Sequence, residues 1–121
     1  PCGAGRRILG LDIDGGLYPC DDLIGNKNFL IGNVDNISNV KEVLKNSDVM
    51  TKSLNHRIEN IPQCSKCVWR KICVSHCLSD SFFFSGKLNS PSSKCQFYQK
   101  FIPIVIDLLY KRRIEVDNLL W

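Results

Sequence analysis

No stretch of this chain stays apolar for long enough to cross a bilayer. The longest, Phe101 to Tyr110, is interrupted by Pro103 and Asp107 and falls far short of the roughly 20 residues a spanning helix needs. It predicts a core helix, not an anchor, and no membrane partner. Nothing near the N-terminus has the order of a secretory signal. The chain begins at Pro1 without a methionine, as expected of a fragment whose upstream part has been removed. Nor does one sign of charge dominate. Formal net charge is +4, and the basic residues are scattered except for Lys111, Arg112 and Arg113. So short a run reads as the solvated last turn of a helix, where cations complement the dipole, and no nucleic-acid partner is expected. There is no internal repeat and no low-complexity segment beyond Phe82-Phe83-Phe84, which reads as a buried strand or turn.

What the chain does have is cysteine, seven in 121 residues, within a composition that is 44% hydrophobic and 23% charged. That composition fits one compact domain spanning residues 1–121. A domain this small buries proportionately little surface, so cross-links or bound metals supply a useful share of its stability. An odd cysteine count leaves one thiol over in any intramolecular disulfide framework, and the close spacings disfavour a secreted disulfide protein. Cysteine usage therefore points to a cytoplasmic setting.

The coarse reading is α+β. Arg6 to Ile13, the turn signal Asp14-Gly15-Gly16 and Leu17 to Cys20 predict a β-hairpin whose arms bring Cys2 and Cys20 toward one end. Phe29-Leu30-Ile31 predicts a short third strand, with Gly32-Asn33 turning the chain after it. Asn39 is placed to cap a helix with Glu42 at the capping-box position and Val40, Val43 and Leu44 on its apolar face. Met50, Leu54, Ile58 and Ile61 recur at helical spacing, predicting a second helix that ends just before Cys64, since Pro62 restricts Ile61 to extended backbone. Ser85 to Ser93 reads as a loop. Beyond it Phe97, Phe101, Ile104, Val105, Leu108 and Leu109 form the stripe of a C-terminal helix packed along one side, with Pro103 as a possible kink.

Cys2 is followed after twelve residues by Gly15 and after four more by Cys20; then come Cys64-x2-Cys67-x5-Cys73-x3-Cys77 and, after seventeen residues, Cys95. A pair such as Cys64-x2-Cys67 puts two thiolates around one metal centre across a short turn, a geometry that zinc and iron–sulfur sites share. Zinc asks for four ligands per closed structural site. Seven cysteines then leave three spare, or a second site completed by His56 or His76. Two [4Fe-4S] clusters ask for eight ligands in all, leaving one position to be supplied from upstream, by a non-cysteine group or by a substrate.

The full order of these seven cysteines, with Gly15-x4-Cys20, resembles the signature of the SPASM domain. Leu17-Tyr18-Pro19-Cys20 after the Asp14-Gly15 turn, Ile31-Gly32-Asn33-Val34 before the first helix, and Trp69-Arg70 between cysteines are also similar to the family. The likeness spans nearly the whole chain. One departure stands out: family members often carry two glycines where this chain has Ser75 and His76, so the local turn is expected to differ.

The resemblance implies an auxiliary iron–sulfur domain of a radical S-adenosylmethionine enzyme that modifies a peptide or protein side chain. It implies one [4Fe-4S] cluster on Cys64, Cys67, Cys73 and Cys95, and a second on Cys2, Cys20 and Cys77. In relatives the fourth ligand of the second is often an upstream cysteine, and in some the iron is left open for substrate. S-adenosylmethionine and a third [4Fe-4S] cluster belong to a barrel domain expected upstream. This chain has no Cys-x3-Cys-x2-Cys triad, so the parent is the expected enzyme and the fragment alone generates no radical. Partners implied are a peptide or protein substrate, the barrel of the same parent chain, and an electron donor or acceptor. Asp21 matches a position where the sulfatase-maturing branch carries a proton-accepting aspartate, although a hairpin-end aspartate bonded to backbone amides is the commoner role. His56 is expected on a solvated polar face and His76 pointing outward. Trp69 and the Phe82–Phe84 run are expected mainly in the core, where they would also exclude water from a cluster. A non-enzymatic zinc-binding interaction module is the alternative reading.

Overall fold

The computed structural model describes residues 2–73 and 76–112. Ser75 and Arg113 lie outside these residues. The architecture is a small α+β domain whose N-terminal sheet has three antiparallel strands in the order β1 (Gly10–Leu11), β2 (Gly16–Tyr18), β3 (Gly32–Asn33). Gly10 pairs with Tyr18 and Leu11 with Leu17; Gly16 pairs with Asn33 and Leu17 with Gly32. The expected hairpin is present, with much shorter arms. Its turn is closed by the Asp12 N–H donating to the Gly16 carbonyl at 2.8 Å, and Gly15 supplies the left-handed φ of +83° that a side chain would strain. Asn33 Nδ2 donates to the Asp14 carbonyl at 2.6 Å and so ties the third strand to the hairpin tip.

The third strand is displaced from where its apolar run predicts it. Phe29 closes a 3-10 turn, Lys27–Phe29, capped by Asn26, and its ring is buried in the core. The ladder is instead made by Gly32–Asn33, the pair expected to be a turn, and the chain turns afterwards at Val34–Asn36. Burial of one aromatic ring outweighs the strand preference of a three-residue run.

Helix α1 (Val40–Asn46) starts where expected, with Asn39 Oδ1 accepting from the Glu42 N–H at 3.3 Å. Val40 is exposed, so the apolar face is narrower than predicted. The long second helix breaks into pieces: α2 (Asp48–Leu54), a 3-10 turn at Ile58–Asn60, and α3 (Pro62–Ser65), which contains Cys64 rather than ending before it. Pro62 sits in the first turn of α3, where its missing N–H costs nothing. Phe82-Phe83-Phe84 belongs to α4 (Leu78–Ser85), not to a strand. Its helical turn sends Phe82 onto Phe29, edge to face at 4.8 Å, and leaves Phe83 and Phe84 at 62% and 68% exposure. Gly86, in left-handed conformation, ends the helix and starts the expected loop.

Helix α5 (Cys95–Arg112) runs through Pro103. Lys111 pairs with Asp107 on its exposed surface at 3.0 Å. It is not the core helix its pattern predicts, because Phe97, Phe101, Ile104, Leu108 and Leu109 remain exposed among the described residues. No helix of the described residues is long and apolar enough to cross a membrane.

The core lies between the hairpin and α4: Ala4, Tyr18, Cys20, Leu23, Phe29 and Leu78, with Cys2, Val49, Phe82 and Leu88 packed against it. Leu23 and Leu78 are fully buried, each contributing about 1.5–3 kcal/mol. Close approach of β1 to Cys20 depends on Gly10, where a Cβ would stand 2.6 Å from the Cys20 carbonyl oxygen. We expect Gly10→Ala to destabilise the domain by about 1–3 kcal/mol, read as a lowered urea midpoint, whereas Phe83→Ala changes it little. Equal midpoints for Gly10→Ala and the parent would refute the close packing.

Candidate metal centres

Two groups of thiols are assembled from distant parts of the chain, and all seven cysteines are free of disulfides. In the first group α3 carries Cys64, whose carbonyl accepts the Cys67 N–H at 3.0 Å, so the intervening residues form a reverse turn. A second turn brings the Cys73 N–H to the Trp69 carbonyl at 2.8 Å. Cys95 arrives from the far side as the first residue of α5. Asp80 positions it: this α4 carboxylate accepts from the hydroxyl of Ser92, from the Ser93 N–H at 3.0 Å and from the Ser93 hydroxyl at 2.6 Å, while the Ser92 carbonyl accepts the Cys95 N–H at 3.0 Å. Burial works to raise the Asp80 pKa, but the bonds from Ser92 and Ser93 outweigh it and hold the carboxyl below its ordinary value. Nothing in the local pattern around Asp80 marked it, because its partners lie twelve and thirteen residues on.

Cys64, Cys67, Cys73 and Cys95 line a single small cavity of about 30 Å³. Trp69, Arg70, Tyr98 and Gln99 complete its wall. Trp69 is thus half-buried on the wall of this site and not in the core where it was expected, and Gln99 Nε2 points a donor at Cys95 Sγ from 3.7 Å. Cys64 is pushed up to about 11, first by burial and then by the neighbouring Cys95, Cys73 and Cys67. Burial, then Cys67 and Cys73, raise Cys95 in the same way. Four thiolates gathered here repel one another unless positive charge lies among them, and metal binding is what supplies it.

In the second group Cys2 and Cys20 share the core, Cys20 at 5% exposure. Cys20 is pushed up to about 11 chiefly by burial, opposed by the Leu23 N–H and reinforced by Asp22, Cys2 and Asp21. Cys77 caps α4, and its Sγ lies 3.0 Å from Ser79 Oγ, which donates to Asp22 Oδ2 at 2.8 Å. The Asp22–Ser79 pair therefore ties Cys77 to the turn that follows Cys20. The three thiols do not line one common cavity: Cys2 opens onto one with His56 and His76, and Cys77 onto another with Asp22 and Ser79.

Asp21 is exposed at the start of the 3-10 turn, beside Cys20, and among the described residues its carboxylate takes no hydrogen bond from the backbone amides expected to engage it. Asp22, which sequence reading passed over, carries the hydrogen bond instead. Both histidine expectations are overturned. His56 is buried at 5% exposure because α2 ends two residues before it and the turn tucks the ring inward, where Nδ1 meets the Leu88 carbonyl at 2.6 Å. His76 is half-buried, its Nδ1 has no partner among the described residues, and burial holds its pKa below the ordinary value. Among the described residues, no three His, Cys, Asp or Glu side chains stand close enough to hold a single metal ion.

Such a fold, with thiols converging on a cavity, defines a small cysteine-rich metal-binding domain. Residues 2–68 match the SPASM family, an iron–sulfur cluster-binding domain, and the chain belongs to that family. An uncharacterized protein of Archaeoglobus fulgidus is 31% identical over 120 residues, which is 99% of this chain and 27% of that protein. Mycofactocin maturase MftC of Mycobacterium tuberculosis is 30% identical over 94 residues, 78% of this chain and 23% of MftC. The chain thus spans about a quarter of the length of the curated relatives it matches.

The thiolate is the form that alkylates, so a raised thiol pKa slows reaction below it. Between pH 9, the ordinary value, and about 11, Cys20 and Cys64 stay protonated in the folded metal-free chain while the unfolded chain has already ionised. At pH 9 we expect iodoacetamide to modify both at least roughly tenfold more slowly in the folded chain than in urea, with the gap closing as pH approaches 11. Equal rates at pH 9 would show that these thiols are not held as described.

Proposed function

We propose that this domain holds two [4Fe-4S] clusters and serves, within a longer radical S-adenosylmethionine enzyme, to carry electrons and to dock a peptide or protein substrate. The observation that carries this reading is the ring of Cys64, Cys67, Cys73 and Cys95 around one cavity, four thiols drawn from two separated stretches of chain. Thiols spread around a cavity suit a multi-iron group better than a single zinc ion, which draws its ligands in to about 2.3 Å. Cys2, Cys20 and Cys77 supply three ligands to the second cluster, supported by the packing of Cys2 with Cys20 and by the Asp22–Ser79 tie to Cys77.

When bound, such clusters supply one-electron chemistry at potentials set by charge, sulfur hydrogen bonds and exposure. The chain's own residues set those terms. Trp69 and Tyr98 exclude water from the first cavity, and Gln99 offers its amide to Cys95 Sγ. Asp80 holds the loop that delivers Cys95. Asp21, exposed beside Cys20, is placed to accept a proton from a substrate bound there, while Asp22 is occupied by Ser79.

The barrel that binds S-adenosylmethionine and a third [4Fe-4S] cluster belongs to the rest of the parent chain. The exposed apolar face of α5, with Phe97 stacked on Phe101 at 5.1 Å, supports contact with that barrel. An electron donor or acceptor and a peptide substrate complete the partners, in the cytoplasm.

Anaerobic reconstitution tests the metal. We expect about eight irons and eight sulfides per chain, and Cys67→Ala to lower iron content and thermal stability together. Zinc without sulfide would replace this reading with a structural zinc module. Unchanged iron and melting in Cys67→Ala would remove that ligand from the set.

A further inference from the structure

The hydroxyl of Ser79 stands between two acceptors with one proton to give. Its Oγ donates to Asp22 Oδ2 at 2.8 Å and lies 3.0 Å from Cys77 Sγ. With that proton spent on Asp22, the contact with Cys77 is a hydrogen bond only if the thiol supplies its own, S–H to Oγ. The metal-free chain meets this condition. Cys77 donates to Ser79 and Ser79 to Asp22, a relay of two hydrogen bonds from the N-cap of α4 to the turn after Cys20.

Metal binding removes one link of that relay. A cysteine ligates as the thiolate, so the metal takes the place of the proton on Sγ. Sγ and Ser79 Oγ then face each other at this distance as two acceptors, with no hydrogen between them, unless the hydroxyl turns. Burial decides which way it turns. Ser79 is 3% exposed and Cys77 half-buried, and among the described residues Ser79 Oγ is the only side-chain donor within reach of Cys77 Sγ. Asp22 is exposed, so water replaces the hydroxyl there at little cost, whereas an anionic acceptor left unpartnered out of water is costly. The tie to Asp22 is also no longer needed once metal joins Cys77 to the segment of Cys20. We propose that Ser79 is a positioning residue with two settings: in the metal-free chain its hydroxyl latches Cys77 to Asp22, and in the loaded domain it turns to donate to Cys77 Sγ. Ser79 keeps its proton throughout; the one displaced by metal is that of the Cys77 thiol. A donor to a ligating sulfur favours the more negative, reduced state and so raises the reduction potential. Gln99 stands in the same relation to Cys95 of the other thiol group.

The inference rests on the cluster reading of Cys77, and the experiment tells the two apart. The full parent protein is reconstituted with iron and sulfide, titrated by potential, and exchanged into deuterium oxide for pulsed electron paramagnetic resonance of the reduced state. We expect Ser79→Ala to lower the potential of one cluster, leave the others unchanged and lose one strongly coupled deuteron. Ser79→Thr, which keeps the hydroxyl, should restore both. In Ser79→Ala with its full iron and sulfide, a potential that does not fall, or an unchanged set of deuteron couplings, overturns the assignment. Asp22→Ala gives a second reading that does not depend on Ser79→Ala assembling its clusters. With the hydroxyl already on sulfur, its deuteron couplings should match those of the unsubstituted protein. A coupled deuteron gained in Asp22→Ala would show that the hydroxyl had stayed on Asp22, and overturns the inference. Zinc or no metal in place of iron and sulfide in the unsubstituted protein overturns the cluster reading, and the inference with it.

Discussion

The cost of ionising buried, closely gathered thiols is the constraint on which this structure turns. Seven cysteines from positions as distant as Cys2 and Cys95 are held without disulfides in a chain whose main core is a handful of side chains. Burial and like charge both disfavour the ionised sulfur, as the raised values at Cys20 and Cys64 show. Such a site is well matched to a bound iron–sulfur cluster, whose metal ions favour the thiolate. Binding energy then becomes folding energy, and short elements that could not stand by themselves are tied at their ends.

The secondary structure follows from that arrangement. Strands of two or three residues and helices of four to eight are too short for independent stability. Three of them, and the longer α5, end or start at or near a cysteine: β2 runs into Cys20, α3 holds Cys64, α4 is capped by Cys77 and α5 starts at Cys95. Polar ties outside the thiols keep these ends in place. Asp80 anchors the approach to Cys95 through Ser92 and Ser93, and Asp22 reaches Cys77 through Ser79. Both carboxylates sit on an element adjoining one cysteine and bond to serines beside another, so the two thiol groups are braced from within the same small framework.

The apolar stripe of α5, with Phe97, Phe101, Ile104, Leu108 and Leu109, lies exposed among the described residues. A periodic apolar pattern says that one helix face seeks cover. It does not say whether the cover lies in the same domain, which is why the pattern read as core and the helix is exposed.

Cysteine spacing, the hairpin turn at Asp14-Gly15-Gly16, the Asn39 cap and the C-terminal helix were legible in the sequence because each depends on local chemistry: turn dihedrals, a capping side chain, helical periodicity. The class of site was legible for the same reason, since thiol ligands must recur at short intervals to share a metal. Tertiary structure decided what depends on contacts across the chain. Phe29 left the expected strand for the core because Phe82 waits there. The helix through Ile58 broke because the turn at His56 brings its ring under the Leu88 carbonyl, thirty-two residues away in sequence. Asp80, Asp22 and His56 Nδ1 gained their roles from partners that no local window contains. Spacing could name the thiols, but only folding could decide which of them face one cavity and which polar groups stand behind them.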